Sequence, residues 1–169
     1  MAKIFVENTE IRIVTYLEND FISLTDMANA RIGESRAADV IKNWLRNRYT
    51  LEFLGTWEII HNPEFKVVEF DHFKSQAGLP GFVLSVSEWI EKTDALGIIV
   101  KKGKYGGTFA HKDIAFEFGS AISIPFKLYL IQVLTTINKR IEVLLDKDHQ
   151  IGHSYFMVVS NMEELKSAF

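Results

Sequence analysis

A chain of 169 residues that is 47% hydrophobic, with thirteen Phe and three Trp, has enough apolar material for one buried core and at most an appendage beside it. It lacks cysteine, which excludes a disulfide scaffold and any cysteine-ligated zinc finger; the N-terminus has no apolar signal-peptide core, and no run reaches the length of a membrane span. The net charge of −3 argues against indiscriminate polyanion binding, but the charges are segregated. Residues 31–48 hold five bases (Arg31, Arg36, Lys42, Arg46, Arg48) against two acids (Glu34, Asp39), and residues 101–112 hold Lys101, Lys102, Lys104 and Lys112 with no acid. Residues 52–71 reverse the balance, with five acids to one base. If the two basic stretches share a face, the chain has a polyanion-binding side and an acidic back. The expectation is a soluble, cytoplasmic protein with no membrane partner.

Residues 11–16 alternate as a strand does, Glu18, Asn19 and Asp20 are turn formers, and Phe21 and Ile22 resume an extended pair, so an N-terminal β-hairpin is predicted. Ser23 or Thr25 caps a short helix to Ala30, Gly33 breaks it, and a second helix is predicted from Glu34 or Ser35 to Gly55. Along it Ala38, Ile41, Trp44, Leu45, Tyr49 and Phe53 recur at helical spacing, while Arg36, Asp39, Lys42, Arg46 and Asn47 fall mainly on other faces. Residues 57–63 read as a linking stretch, 65–73 as mixed strand and helix signals, and 85–94 as a helix. A short strand at 97–100 enters a Lys/Gly loop and returns near Thr108, a hairpin that would make a small wing. A helix over 109–118 follows, and Pro125 suits the first turn of a long helix to about residue 145.

The stretch 101–118 carries the strongest chemical signal. Its glycines, Gly103, Gly106 and Gly107, let backbone N–H groups approach a ligand, and Thr108 stands where a side-chain oxygen caps a new helix. Unpaired N–H groups, the helix dipole and the lysine charges would all favour one anion, phosphate foremost. The alternative is a solvated turn before an ordinary helix.

Several ordered blocks stand along the chain: Ile22-Ser23-Leu24-Thr25-Asp26-Met27-Ala28, Asn43-Trp44-Leu45-Arg46-Asn47, Thr50-Leu51-Glu52-Phe53-Leu54-Gly55 with Trp57-Glu58 and Asn62-Pro63, the run from Gly106 through Phe118, and Ile122-Ser123 with Phe126-Lys127-Leu128-Tyr129-Leu130-Ile131. Together they resemble the KilA-N domain, a DNA-binding module of phage, prophage and large DNA-virus proteins related to fungal APSES domains. The resemblance covers about residues 1–131 and implies an α+β fold with a helix-turn-helix-like unit and a wing. Residues 135–156 look like the C-terminal lid of McrB-type restriction GTPase subunits, so 132–169 is expected to be a helical appendage, the mark of a fusion or deletion. GTPase activity is not carried over: Gly103-Lys104 is followed by Tyr105, where a phosphate loop needs Ser or Thr.

These readings name the candidate residues. Arg36, Lys42, Arg46 and Arg48 on the second helix are the candidates for base readout, because arginine can bond guanine edges in bidentate fashion. Lys101, Lys102, Lys104, Gly106, Gly107 and Lys112 are the candidates for phosphate contact. His149 and His153 stand i, i+4 near Asp146 and Asp148, but Gly152 disfavours a continuous helix there, and packing is preferred to metal binding. His111 and Asp113 read as capping groups rather than an acid–base pair. With no nucleophile elbow, phosphate loop or nuclease carboxylate cluster, the expectation is a non-enzymatic regulator of phage or prophage origin that binds double-stranded DNA without a cofactor. The rival is an interaction module that docks on a restriction or defence assembly through its tail.

Overall fold

The structure, a computed structural model, describes residues 2–6, 9–32, 36–103 and 106–144. Among them five antiparallel strands form one sheet: β1 (Ala2–Val6), β2 (Thr9–Tyr16), β3 (Asn19–Ser23), β4 (Ile98–Lys101) and β5 (Gly107–His111), in the order β1-β2-β3-β5-β4. The N-terminal hairpin turns at Leu17 and Glu18, with φ of 47° and 61°, one step ahead of the predicted turn formers. Both residues take the left-handed conformation that a two-residue hairpin turn demands, although neither is glycine or asparagine. Asn19 follows the turn and steadies it by donating from its side chain to the Leu17 carbonyl.

Alternation then assigns the two faces of the sheet. Ile98 and Ala110 pair across β4 and β5, Ala110 pairs with Ile22 of β3, and all three join the principal core. The neighbouring residues Phe21, Phe109, Ile99 and Val14 gather into a smaller cluster on the opposite face.

Six helices complete the first of two compact units, Met1–Ile122: α1 (Leu24–Ile32), α2 (Ala37–Leu45), α3 (Arg48–His61), α4 (Val67–Gln76), α5 (Val86–Thr93) and α6 (Lys112–Ile122). The single helix predicted over 35–55 is therefore two. Asn47 leaves the helical conformation and accepts the Tyr49 N–H on its side-chain oxygen at 2.9 Å, which starts α3. Apolar spacing ran through the break because both helices bury their faces in the same core. Ala38 and Tyr49, which had been expected on that apolar face, are exposed. Gly55 does not end the helix either; it lies buried within α3, where a Cβ would meet the Phe70 ring at 2.3 Å. Residues 57–61, expected to be linker, continue α3, and 67–76 are wholly helical.

Glu58 fixes α3 to the start of β4. Its buried carboxylate accepts the Gly97 N–H at 2.7 Å, the Leu96 N–H at 3.0 Å and the Asn62 side chain at 2.9 Å. Asn62 ends α3 and also donates to the Asp94 carbonyl at 2.8 Å. Ser85 caps α5, its side-chain oxygen accepting the Glu88 N–H at 3.1 Å. The second unit, Ser123–Phe169, contributes α7 (Ile124–Leu144), with Pro125 in its first turn as expected and the Phe126 N–H donating to Ser123 Oγ. The fold class is α+β: an N-terminal hairpin, an α1–α2 helix pair, a β4–β5 hairpin and a long C-terminal helix.

Candidate nucleic-acid interface

The helix pair begins at Ser23, whose hydroxyl oxygen accepts the Asp26 N–H at 3.1 Å and opens α1. Leu24 and Ala28 of α1 and Ala37, Ile41, Trp44 and Leu45 of α2 enter the principal core. That burial leaves Arg36, Asp39, Lys42 and Asn43 exposed. Arg36 is the N-cap residue of α2 and forms no side-chain cap bond. A cation there is opposed by the helix dipole, so local structure gives no reason for its charge. Lys42 sits in the last turn, where the dipole favours it. Arg46 and Arg48 do not lie on the body of α2: Arg46 is its C-cap residue and Arg48 the first residue of α3. Arg46 donates to the Pro80 carbonyl at 3.3 Å, and Arg48 stands 3.6 Å from Glu52.

The β4–β5 hairpin is not a free-standing wing, because β5 also pairs with β3 from Phe21↔His111 to Ser23↔Phe109. Its turn is closed by the Gly106 N–H donating to the Gly103 carbonyl at 2.8 Å. Glycine is required at 106, where a Cβ would lie 2.4 Å from the Lys101 carbonyl oxygen, and at 107, where φ is +150°. A side-chain network that sequence reasoning missed holds the turn from below. Arg12 of β2 grips Asp26 of α1 with two side-chain bonds of 2.7 Å and reaches the Gly106 carbonyl at 3.3 Å. Thr25 Oγ1 accepts the Thr108 N–H at 3.0 Å. Burial by itself raises the Asp26 carboxyl, but the bonds from Arg12 and Ser23 outweigh it and hold the group below its ordinary range. Thr25 and Asp26 stand in the first resemblance block; Arg12, in an alternating strand, carried no signal of its own.

The expected anion site at a helix N-terminus is not built. Thr108 lies in β5, not at a cap, and α6 begins only after that strand, so the Gly-rich turn and the helix dipole sit at opposite ends of five residues at about 3.3 Å each. Lys101 and Lys102 are exposed near the turn, with Lys101 Nζ 5.7 Å from the centre of the Phe109 ring. Lys112 is exposed at the α6 end, and Lys104 lies outside the described residues, as do His149 and His153. At that α6 end His111 Nδ1 is 3.2 Å from Asp113 Oδ2, which also accepts the Trp57 indole N–H at 3.1 Å. Trp57 is in turn stacked on His61 at 4.4 Å. Among the described residues no group of three His, Cys, Asp or Glu could hold a metal ion.

The family model of the KilA-N domain matches residues 6–140, four-fifths of the chain. The chain belongs to the KilA-N domain family. That is a family of DNA-binding rather than catalytic domains, and membership indicates a DNA-binding regulator. The residues of the resemblance blocks do two kinds of work. Trp44, Leu51, Leu54 and Phe118 fill the core of the KilA-N unit, whereas Thr25, Asp26, Gly106 and Gly107 lock the β4–β5 turn to α1. A second model, the McrB alpha-helical lid domain, matches residues 129–169, so α7 carries the end of one match and the beginning of the other. No curated protein and no solved structure matches the chain. No single helix among the described residues is long and apolar enough to cross a membrane.

Proposed function

We propose that this protein is a cytoplasmic, double-stranded-DNA-binding regulator of phage or prophage origin, with residues 1–131 as the binding domain. Family membership is the observation that carries the reading. Arg36 and Lys42, exposed on α2, are offered to base edges in the major groove, with Arg46 at the C-cap of α2 and Arg48 at the start of α3 beyond them. Lys101, Lys102 and Lys104 of the β4–β5 turn and Lys112 supply phosphate contacts and sequence-independent affinity. In this reading Gly106 and Gly107 act through shape: they let the turn close on Arg12 and Thr25, which ties it to β2 and α1.

Selection from a random duplex library at near-physiological salt, followed by a salt titration, tests the proposal. A recovered consensus bound with a steep salt dependence is expected. Replacing Lys101, Lys102 and Lys104 with Ala should flatten the slope of log K against log salt by about 0.9 for each lost phosphate contact, equally on all sequences. No enriched sequence and no salt-dependent binding would defeat it. The McrB-lid match supports a second reading, docking on a restriction assembly through residues 129–169. Binding of the full chain, but not of a tail-truncated one, to a purified McrB-type GTPase would favour it.

A further inference from the structure

The corner where α2 passes into α3 adds Lys74 of α4 to two arginines of the first basic stretch, Arg46 and Arg48. Arg48 Nε stands 3.6 Å and Lys74 Nζ of α4 3.4 Å from one oxygen of Glu52, Oε1. Arg46, two residues before Arg48, donates to the Pro80 carbonyl and so draws the turn between α4 and α5 toward the same corner. Two cations, from α3 and α4, share the Glu52 carboxylate, and Arg46 adds a third charge on the Pro80 carbonyl; Asp71 is exposed on α4 one turn before Lys74. The corner keeps a positive balance, in keeping with a polyanion.

The turn itself is Gly78-Leu79-Pro80-Gly81, and it is stiffly made. Gly78 takes a φ of +86°, the Leu79 N–H donates to the Gln76 carbonyl at 3.1 Å, and the Phe82 N–H donates to the Leu79 carbonyl at 3.0 Å. Phe82 and Leu84 then anchor the chain in the core. Between these supports the tip is apolar and open: Leu79 is 57% exposed, and Pro80 and Gly81 are exposed beside it. A lone exposed leucine is ordinary on a protein surface. Here it tops a pre-ordered turn tied to the C-terminal end of the helix assigned to the groove, with cations around its base.

We propose that Leu79 and Pro80 form an apolar wedge that enters duplex DNA between base steps on the minor-groove side and kinks it, while Arg46, Arg48 and Lys74 take the flanking phosphates. The wedge rests on the DNA-binding reading. Unstacking a base step costs free energy, which a kinked duplex returns through the added protein surface it touches. A turn already fixed by two backbone bonds and the Arg46 tether loses little freedom on insertion. Arg46 is a positioning residue in this scheme, since it holds the Pro80 carbonyl and keeps its remaining guanidinium donors for phosphate.

Bending is measured with the full chain on a selected duplex, by energy transfer between dyes at the two ends. The wild type should bend the duplex by about 20–90°. Leu79→Ala, a change at an exposed side chain that leaves the fold intact, should lose most of that bend and weaken binding about tenfold with an unchanged salt slope. Leu79→Met should retain the bend, and Arg46→Ala should reduce both the bend and the salt slope. A straight complex, or an equal bend in Leu79→Ala, overturns the wedge while leaving DNA binding in place. Absence of duplex binding by the wild type would remove the underlying reading first, and the wedge with it.

Discussion

Glu58 is 1% exposed, and its two carboxylate oxygens take three N–H donors from outside their own turn of helix or from its end. Glu58→Ala would strand the Leu96 and Gly97 N–H groups in a dry site, each at about 1–3 kcal/mol. A loss of about 3 kcal/mol in urea unfolding is expected, with Glu58→Gln costing roughly half because one carbonyl oxygen remains. A loss below about 1 kcal/mol for the alanine variant would mean that water replaces the carboxylate. His111 sets a pH dependence. Burial holds its imidazole below the ordinary value of 6.5, Lys112 and His61 push the same way, and Asp113 opposes them. The folded state thus binds fewer protons than the unfolded chain just below pH 6.5, so stability present above 6.5 declines as pH falls toward the lower folded value. Urea midpoints between pH 7.5 and 5.5 should fall in the wild type and stay flatter in His111→Phe, which keeps an aromatic ring against Trp57 and Phe21. An unchanged decline in that variant would assign the effect to another histidine.

At the scale of elements, Gly55 shows how packing overrules propensity. An alanine in mid-helix gains about 1 kcal/mol over glycine. Against that, the new Cβ would fall 2.3 Å from a Phe70 ring that is itself pressed against Phe65 and Trp89, and such overpacking costs about 1–3 kcal/mol. Gly55→Ala should therefore destabilise the protein, and Phe70→Leu in the same chain should recover part of the loss; a net gain in thermal midpoint from Gly55→Ala alone would show that the ring moves freely. The same contact explains why sequence reading placed a helix end at Gly55: a glycine near the end of an apolar-periodic run looks like a C-cap, and the ring that needs the space comes from fifteen residues further along. Asn47 could have been read as an N-cap, but the apolar period crossed it without a phase break. Strand β2, helix α5 and the long α7 were legible because each depends on a local signal: alternation, helical apolar spacing or one proline. The wing's closure was not, since β5 pairs with β3 from the other end of the chain and moves Thr108 out of the helix it was expected to cap. The Arg12–Asp26–Gly106 network was hidden for the same reason: its three members are joined only by the fold.

For the molecule as a whole, the question is how much chain the fold needs. The family match runs to residue 140, yet every described residue of the principal core lies at or before Ile122, and Ser123–Phe169 forms a separate compact unit. Core burial supplies most of the free energy that opposes chain entropy, so a chain ending at Ser123 should unfold in one cooperative transition. Its thermal midpoint should lie within about 5 °C of the full chain's, since about 1 kcal/mol moves a domain of this size by that much. The stretch 123–140 would then belong to the family for a reason other than the core, and a salt titration on a selected duplex tells which. If the shortened protein binds with the same slope, α7 makes no phosphate contact, and Lys127, Lys139 and Arg140 are free of that role. A flatter slope with an intact thermal transition would add α7 to the interface. A non-cooperative melt, or a midpoint lowered by more than about 15 °C, would instead show that α7 stabilises the first unit and that the fold is not complete at Ile122.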